Sequence, residues 1–248
     1  HPAIPRILDV LDHTDKPGGK YSVLMDYISG YDLAVAVKHT TKGRFNEQFL
    51  VPKMVQVATV LHYLHTLPSR IHPGPLVHRD IKPKNIMYQN GSMVLMDYGL
   101  AEVITPDNQI NTHNLGTKGY APPEQITKGT PLDIRSDIYS FGMTMYHLLV
   151  GELPASDHRG IPTGPVDAHA ANPEVSRALS DVIAKCVALR PDDRYSSMLE
   201  VIAALNTYKT TDSRHRAKHR RHIRTVGALA AAALIMSIAS AGTYTYGA

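Results

Sequence analysis

The chain has 248 residues, 43% of them hydrophobic, which is enough to bury a core and excludes wholesale disorder. Its formal net charge of +4 is unevenly placed. Arg214, Arg216, Lys218, Arg220, Arg221 and Arg224 crowd between Asp212 and Thr225, and the remainder is close to neutral, so the body is not a basic, nucleic-acid-like domain.

Residue 1 is His, without an initiator Met or signal peptide, and the chain reads as a fragment that opens in mid-pattern. Ile7 to Val10 is expected to form a short strand. The turn signal Lys16-Pro17-Gly18-Gly19 and the β-rich run Tyr21 to Ile28 follow, together suggesting a hairpin. Between Glu47 and Leu67, apolar Leu50, Val51, Met54, Val57, Ala58, Leu61 and Leu64 recur at helical spacing. A Pro/Gly-rich loop, Pro68 to Pro75, comes next.

Two short apolar stretches, Ile86 to Tyr88 and Met93 to Met96, flank Asn90-Gly91, the strongest short hairpin signal. Residues 100 to 124 lack periodicity and read as a long loop, and ordered loops of that length are usually functional. Helices are expected over Asp137–Val150 with Gly151 as a stop, over Val175–Leu189 and over Ser197–Leu205. The final stretch, Val226 to Ala248, carries no charge.

The polar residues around the second hairpin carry the chemistry. His78-Arg79-Asp80-Ile81-Lys82-Pro83-Lys84-Asn85 resembles the catalytic loop of protein kinases, and Asp97-Tyr98-Gly99 their metal-binding triplet, usually Asp-Phe-Gly. Gly116-Thr117 through Pro123-Glu124 resembles the end of the activation segment. Ser136-Asp137 through Gly142 resembles the helix that follows, and Arg190 to Arg194 the late arginine element. Order and spacing match over roughly residues 1 to 207. The layout as a whole resembles bacterial transmembrane serine/threonine kinases of the eukaryotic type.

The resemblance implies an α+β, bilobal protein-kinase-like fold. Most of the helical lower lobe is present with the end of the upper-lobe sheet, in a kinase domain over 1–207. It implies transfer of the ATP γ-phosphate, with Mg²⁺ (or Mn²⁺), to serine or threonine of protein substrates. Phosphoryl transfer needs positioning and charge neutralisation more than covalent chemistry. By resemblance, Asp80 orients and deprotonates the attacking hydroxyl, Lys82 offsets charge on the transferred group, and Thr117 bridges the two. Asn85 and Asp97 supply the oxygen ligands that a hard divalent ion prefers. For adenine, Met25 matches the gatekeeper, Asp26 and Ile28 the backbone carbonyl and N–H on the base edge, Asp32 the ribose contact and Met87 the floor.

Tyr98 departs from the usual Phe. It keeps a ring that can pack on His78, but its hydroxyl needs a partner if buried. Arg79 implies regulation by a phosphorylated activation-loop residue, with Thr112 the candidate site and Thr105 the second choice. Glu124 and Arg194 match a structural ion pair, and Asp137 a residue that holds the catalytic-loop backbone. Lys84 replaces the Glu of many basophilic relatives, so no selection for a basic residue is expected at that subsite.

The family's Gly-rich loop, strand lysine and partner glutamate precede the motifs found here, so residues 1–248 alone are expected to be inactive. Residues 208–225 read as a basic juxtamembrane linker able to meet anionic lipids, and 226–246 as a single transmembrane helix with the kinase domain on the cytoplasmic side. No nucleic-acid partner is expected, and a homodimer is left open. Two rivals stand beside the kinase reading. A pseudokinase scaffold is opposed by intact Asp80, Lys82, Asn85 and Asp97. A small-molecule phosphotransferase is opposed by the Gly116-to-Glu124 segment.

Overall fold

The computed structural model describes residues 1–13, 21–67, 74–105, 110 and 115–211. Two units divide the chain, His1–Asn206 and Thr207–Ala248, and of the second only the start, through Thr211, is described.

The two N-terminal apolar runs become β1 (Ile7–Asp12) and β2 (Tyr21–Met25), paired antiparallel from Ile7↔Met25 to Asp12↔Tyr21 with an irregularity between Ile7 and Asp9. A lone hairpin cannot bury both its faces. Accordingly Ile7, Leu8, Val10, Leu11, Tyr21, Val23 and Leu24 all stay exposed.

A two-residue strand β3 (Tyr31–Asp32) runs directly into α1 (Leu33–Ala36), where Asp32 Oδ1 caps the helix by accepting from Val35 N at 2.8 Å. Neither short element shows a period in the sequence. The long helix α2 (Glu47–His65) starts where Asn46 accepts from Phe49 N and buries all seven apolar residues that set its period. It ends two residues before the expected Leu67.

Strand β4 (Leu76–Val77) leads into the catalytic-loop motif. A 3₁₀ turn over Pro83–Asn85 then delivers the chain to β5 (Ile86–Gln89), which pairs with β6 (Ser92–Leu95). Asn90 and Gly91 both have positive φ, 48° and 85°, as a two-residue hairpin turn of the primed type requires. Strand β3 adds to the other edge of β5, giving the order β3-β5-β6.

Within the stretch read as a loop, β7 (Glu102–Val103) pairs with β4 in the register Leu76↔Val103, Val77↔Glu102. A short helix α3 (Pro123–Ile126) closes that stretch.

Next comes α4 (Arg135–Val150), ended by Gly151 in the left-handed conformation at φ 100°. Every residue from Ser136 to Tyr146 is buried, as are Leu148 and Leu149, which makes α4 the axis of the helical region. Around it stand α5 (Ala168–Ala171) and α6 (Arg177–Cys186), the latter capped by Ser176. The last helix, α7 (Met198–Thr211), runs past the expected Leu205. Among the described residues no helix is long and apolar enough to cross a membrane. The expected span, 226–246, lies outside the described residues, as do Thr112 and the linker from Asp212 onward.

Candidate active site

The catalytic loop is held from beneath by one face of α4. Asp137 and Thr144 stand two turns apart on that helix and so project to the same side. Asp137 Oδ1 accepts from Arg79 N at 2.8 Å, and its Oδ2 accepts from His78 N at 2.8 Å and from His65 Nε2 at 2.9 Å. Thr144 Oγ1 donates to Ile81 O at 3.2 Å. Burial opposes ionisation of Asp137. The hydrogen bonds from His65 and from the His78 backbone outweigh it, holding the carboxyl below the usual carboxylate range. This clamp lets Arg79 keep φ at 69°, an unusual conformation for a non-glycine residue that turns the chain toward Asp80.

His78 faces the other way. Its Nδ1 accepts from Asp80 N at 3.3 Å, so Nε2 carries the proton and donates to Met96 O at 3.1 Å. Burial lowers its pKa, in keeping with a neutral ring. The Tyr98 ring packs against it with centroids 4.9 Å apart. The extra hydroxyl of Tyr98 finds its partner in Leu95 O at 3.2 Å, which explains why Tyr is accommodated where the motif usually has Phe.

At the centre stand Asp80, Lys82 and Thr117. Lys82 Nζ donates to Asp80 Oδ2 at 2.6 Å and to Thr117 Oγ1 at 2.7 Å, and Thr117 Oγ1 donates to Asp80 Oδ1 at 2.6 Å. The three close a ring that fixes the orientation of the carboxylate. Asn85 Nδ2 adds contacts to Asp80 O at 2.9 Å and Oδ2 at 3.0 Å. Burial alone would raise the Asp80 pKa. The hydrogen bonds from Lys82 and Thr117, with the Lys82 charge, hold it below the ordinary carboxylate range. The product is an ionised carboxylate beside a cation, able to orient a hydroxyl and accept its proton.

The two candidate metal ligands come together through the β5–β6 hairpin. Met96 N donates to Asn85 O at 2.8 Å, closing the hairpin, so Asp97 follows the end of β6 just where Asn85 precedes β5. Asp97 is exposed and has φ 62°. Because Nδ2 of Asn85 is spent on Asp80, its Oδ1 is the atom left to ligate. An amide oxygen and a carboxylate suit a hard divalent cation such as Mg²⁺, which takes few protein ligands alongside phosphates.

Of the residues expected around the base, the β3–β5 register sets Asp32 opposite Met87, one strand position beyond Ile86 and two beyond Asn85. The floor candidate therefore sits on the strand that follows Asn85, and the ribose candidate lies beside it on β3. Met25, Asp26 and Ile28 are partly buried, Met25 ending β2 and the other two lying between β2 and β3. The Asp26 side chain is engaged by Arg6 Nε at 2.9 Å and its backbone N–H donates to Arg6 O at 3.0 Å, so the part expected of it falls to its carbonyl.

Glu124 and Arg194 meet as a bidentate pair at 2.6 and 2.9 Å. The remaining Arg194 donors go to Ala188 O, Arg135 O and Leu189 O, and Ser136 Oγ donates to Glu124. With all five guanidinium N–H groups used, the buried charge is fully satisfied.

Three residues that position the loop gave no local signal. His65 ends α2, 72 residues from its partner Asp137. Gln125 Nε2 donates to Arg79 O at 2.7 Å and to Leu115 O at 3.1 Å, tying the catalytic loop to the segment that carries Thr117. Glu102 pairs with Arg79.

A family profile described as the protein kinase domain matches residues 1–205. A probable serine/threonine-protein kinase of Clostridium acetobutylicum is 30% identical over 197 residues, 75% of this chain and 28% of that protein. The serine/threonine-protein kinase PknB of Mycolicibacterium smegmatis is 29% identical over 216 residues, 83% of this chain and 33% of that protein. The chain thus spans about a third of the length of these curated relatives. Among solved structures, the kinase domain of Mycobacterium tuberculosis PknI aligns with a TM-score of 0.64 at 25% identity, covering 84% of this chain and 73% of that one.

Proposed function

Since this chain belongs to the protein kinase domain family, we propose that it is the catalytic-loop portion of a protein-serine/threonine kinase acting in signalling at a membrane. The observation that carries the reading is the closed ring of Asp80, Lys82 and Thr117 next to Asn85.

Asp80 orients the serine or threonine hydroxyl of a protein substrate and takes its proton as the oxygen forms its bond to the γ-phosphorus. The bond from that phosphorus to the bridging oxygen of ATP breaks, and ADP leaves with its electron pair. Lys82 offsets the negative charge carried by the group in flight. Thr117 keeps the carboxylate from rotating away. The divalent ion that Asn85 and Asp97 fit supplies, when bound, charge neutralisation at the nucleotide phosphates. Asp26 and Ile28 would hold the adenine edge, with Met25 behind it, Asp32 at the ribose and Met87 beneath.

The exposed apolar faces of β1 and β2 support a reading in which further strands cover this hairpin in a larger sheet. The uncharged 226–246 stretch behind a basic linker supports a single membrane span with the kinase domain cytoplasmic. Thr112 is the proposed phosphorylation site.

The test is ³²P transfer from ATP by the full-length gene product, to itself and to a generic basic protein. Asp80→Asn is expected to cut the rate by about 10³-fold, within the range for loss of a general base. A folded, membrane-inserted wild type that transfers nothing would favour the pseudokinase scaffold.

A further inference from the structure

Arg79 places a guanidinium in a nearly closed environment, its side chain only 6% exposed. A buried cation needs a counter-charge, and removing its partner leaves a large desolvation penalty unpaid. Glu102 provides that charge through an ion pair between Arg79 Nη1 and Glu102 Oε2. The pairing is set by backbone register. Glu102 sits opposite Val77 in the β4–β7 ladder, and β4 runs straight into His78-Arg79-Asp80.

Arg79 is rigidly coupled to the catalytic carboxylate. Its N–H is held by Asp137 and its carbonyl by Gln125, immediately ahead of Asp80. Asp80, Lys82 and Thr117 are engaged with one another in the same structure in which Arg79 rests on Glu102. The guanidinium is not saturated, since its buried Nε has no partner among the described residues. A further anion would therefore add to the Glu102 contact or trade with it, without being the first to neutralise Arg79.

Resting on the kinase reading above, we infer that Glu102 is the resident counter-ion of Arg79 and a positioning residue for Asp80, so that the catalytic loop assembles without a phosphate on the activation segment. A phosphate added to that segment would then tune the rate; it is not the switch that creates the site.

The experiment uses the full-length protein, stripped by a phosphatase until its mass carries no phosphate, then mixed with ATP and a peptide substrate. The wild type is expected to show no lag, with an initial rate within about threefold of the untreated enzyme. Stripped Glu102→Gln is expected to start about tenfold slower or worse, with KM for ATP unchanged, and to recover after preincubation with ATP. Glu102→Asp should restore the lag-free course. A pronounced lag in the stripped wild type overturns the inference, and so does a stripped Glu102→Gln enzyme that starts as fast as the wild type. Should Glu102→Gln fail to fold, the wild-type progress curve still decides. Absence of transfer in every state of the wild type would instead overturn the kinase reading on which the inference rests.

Discussion

Asp137 shows how much of a catalytic loop can depend on one buried carboxylate. It meets two successive backbone N–H groups and a histidine, and its carboxyl is held below the ordinary range despite complete burial. The linkage has a definite sign. A carboxyl with a depressed folded pKa contributes stability that is fully present above the unfolded value of about 3.9 and is lost as pH falls through the folded value. Asp137→Asn removes that contribution. The variant should be less stable than wild type at pH 7, and the gap should narrow as pH falls below about 4. Denaturant titrations at a series of pH values would measure it, and a gap constant with pH would count against the assignment. Asp80 shares the sign of the shift, and an ionised state at neutral pH fits the different task proposed for it, receiving a proton.

Between elements, the decisive joint is that of α3 with the segment before α7. Glu124 lies in the first and Arg194 in the second, 70 residues apart, and their bidentate contact also engages the start of α4 through Ser136 and the Arg135 carbonyl. Glu124→Gln strands the buried guanidinium without a countercharge and should cost about 3–5 kcal/mol, read as a lower denaturation midpoint. Transfer activity should fall less than stability at low temperature, because Glu124 does not touch the reacting groups. The β5–β6 hairpin illustrates the opposite case, a joint decided locally. Asn90 and Gly91 alone select the tight turn, and that turn is what returns the chain so that Asp97 ends up beside Asn85.

For the whole molecule, the membrane reading carries its own test. Full-length protein should pellet with membranes and resist carbonate extraction, whereas deletion of residues 226–246 should release it to the supernatant while leaving the basic linker intact. Release of the undeleted protein by carbonate or by high salt would leave only peripheral attachment through residues 212–225, since salt screens charge but not apolar burial.

The helices α2, α4 and α6, both hairpins and the Asp80–Asn85 part of the loop were legible in the sequence because each is specified by neighbours in the chain. The signals are apolar residues at helical period, a turn dipeptide, and a cluster of polar types at short spacing. Asp80, Lys82 and Asn85 lie within six positions, so one loop suffices to bring them together. Thr117 had to be expected from resemblance, and tertiary structure places it in contact with Asp80. The short elements β3, α1, β4 and β7 had no period to betray them and exist only through their partners. Folding alone decided that His65 would serve Asp137, that Gln125 would tie the catalytic loop to the Thr117 segment, and that Glu102 would meet Arg79. The contacts of His65 with Asp137, of Gln125 with Arg79 and of Glu102 with Arg79 join residues 23 to 72 positions apart, and nothing in a local sequence pattern records which buried group a distant side chain will be placed against.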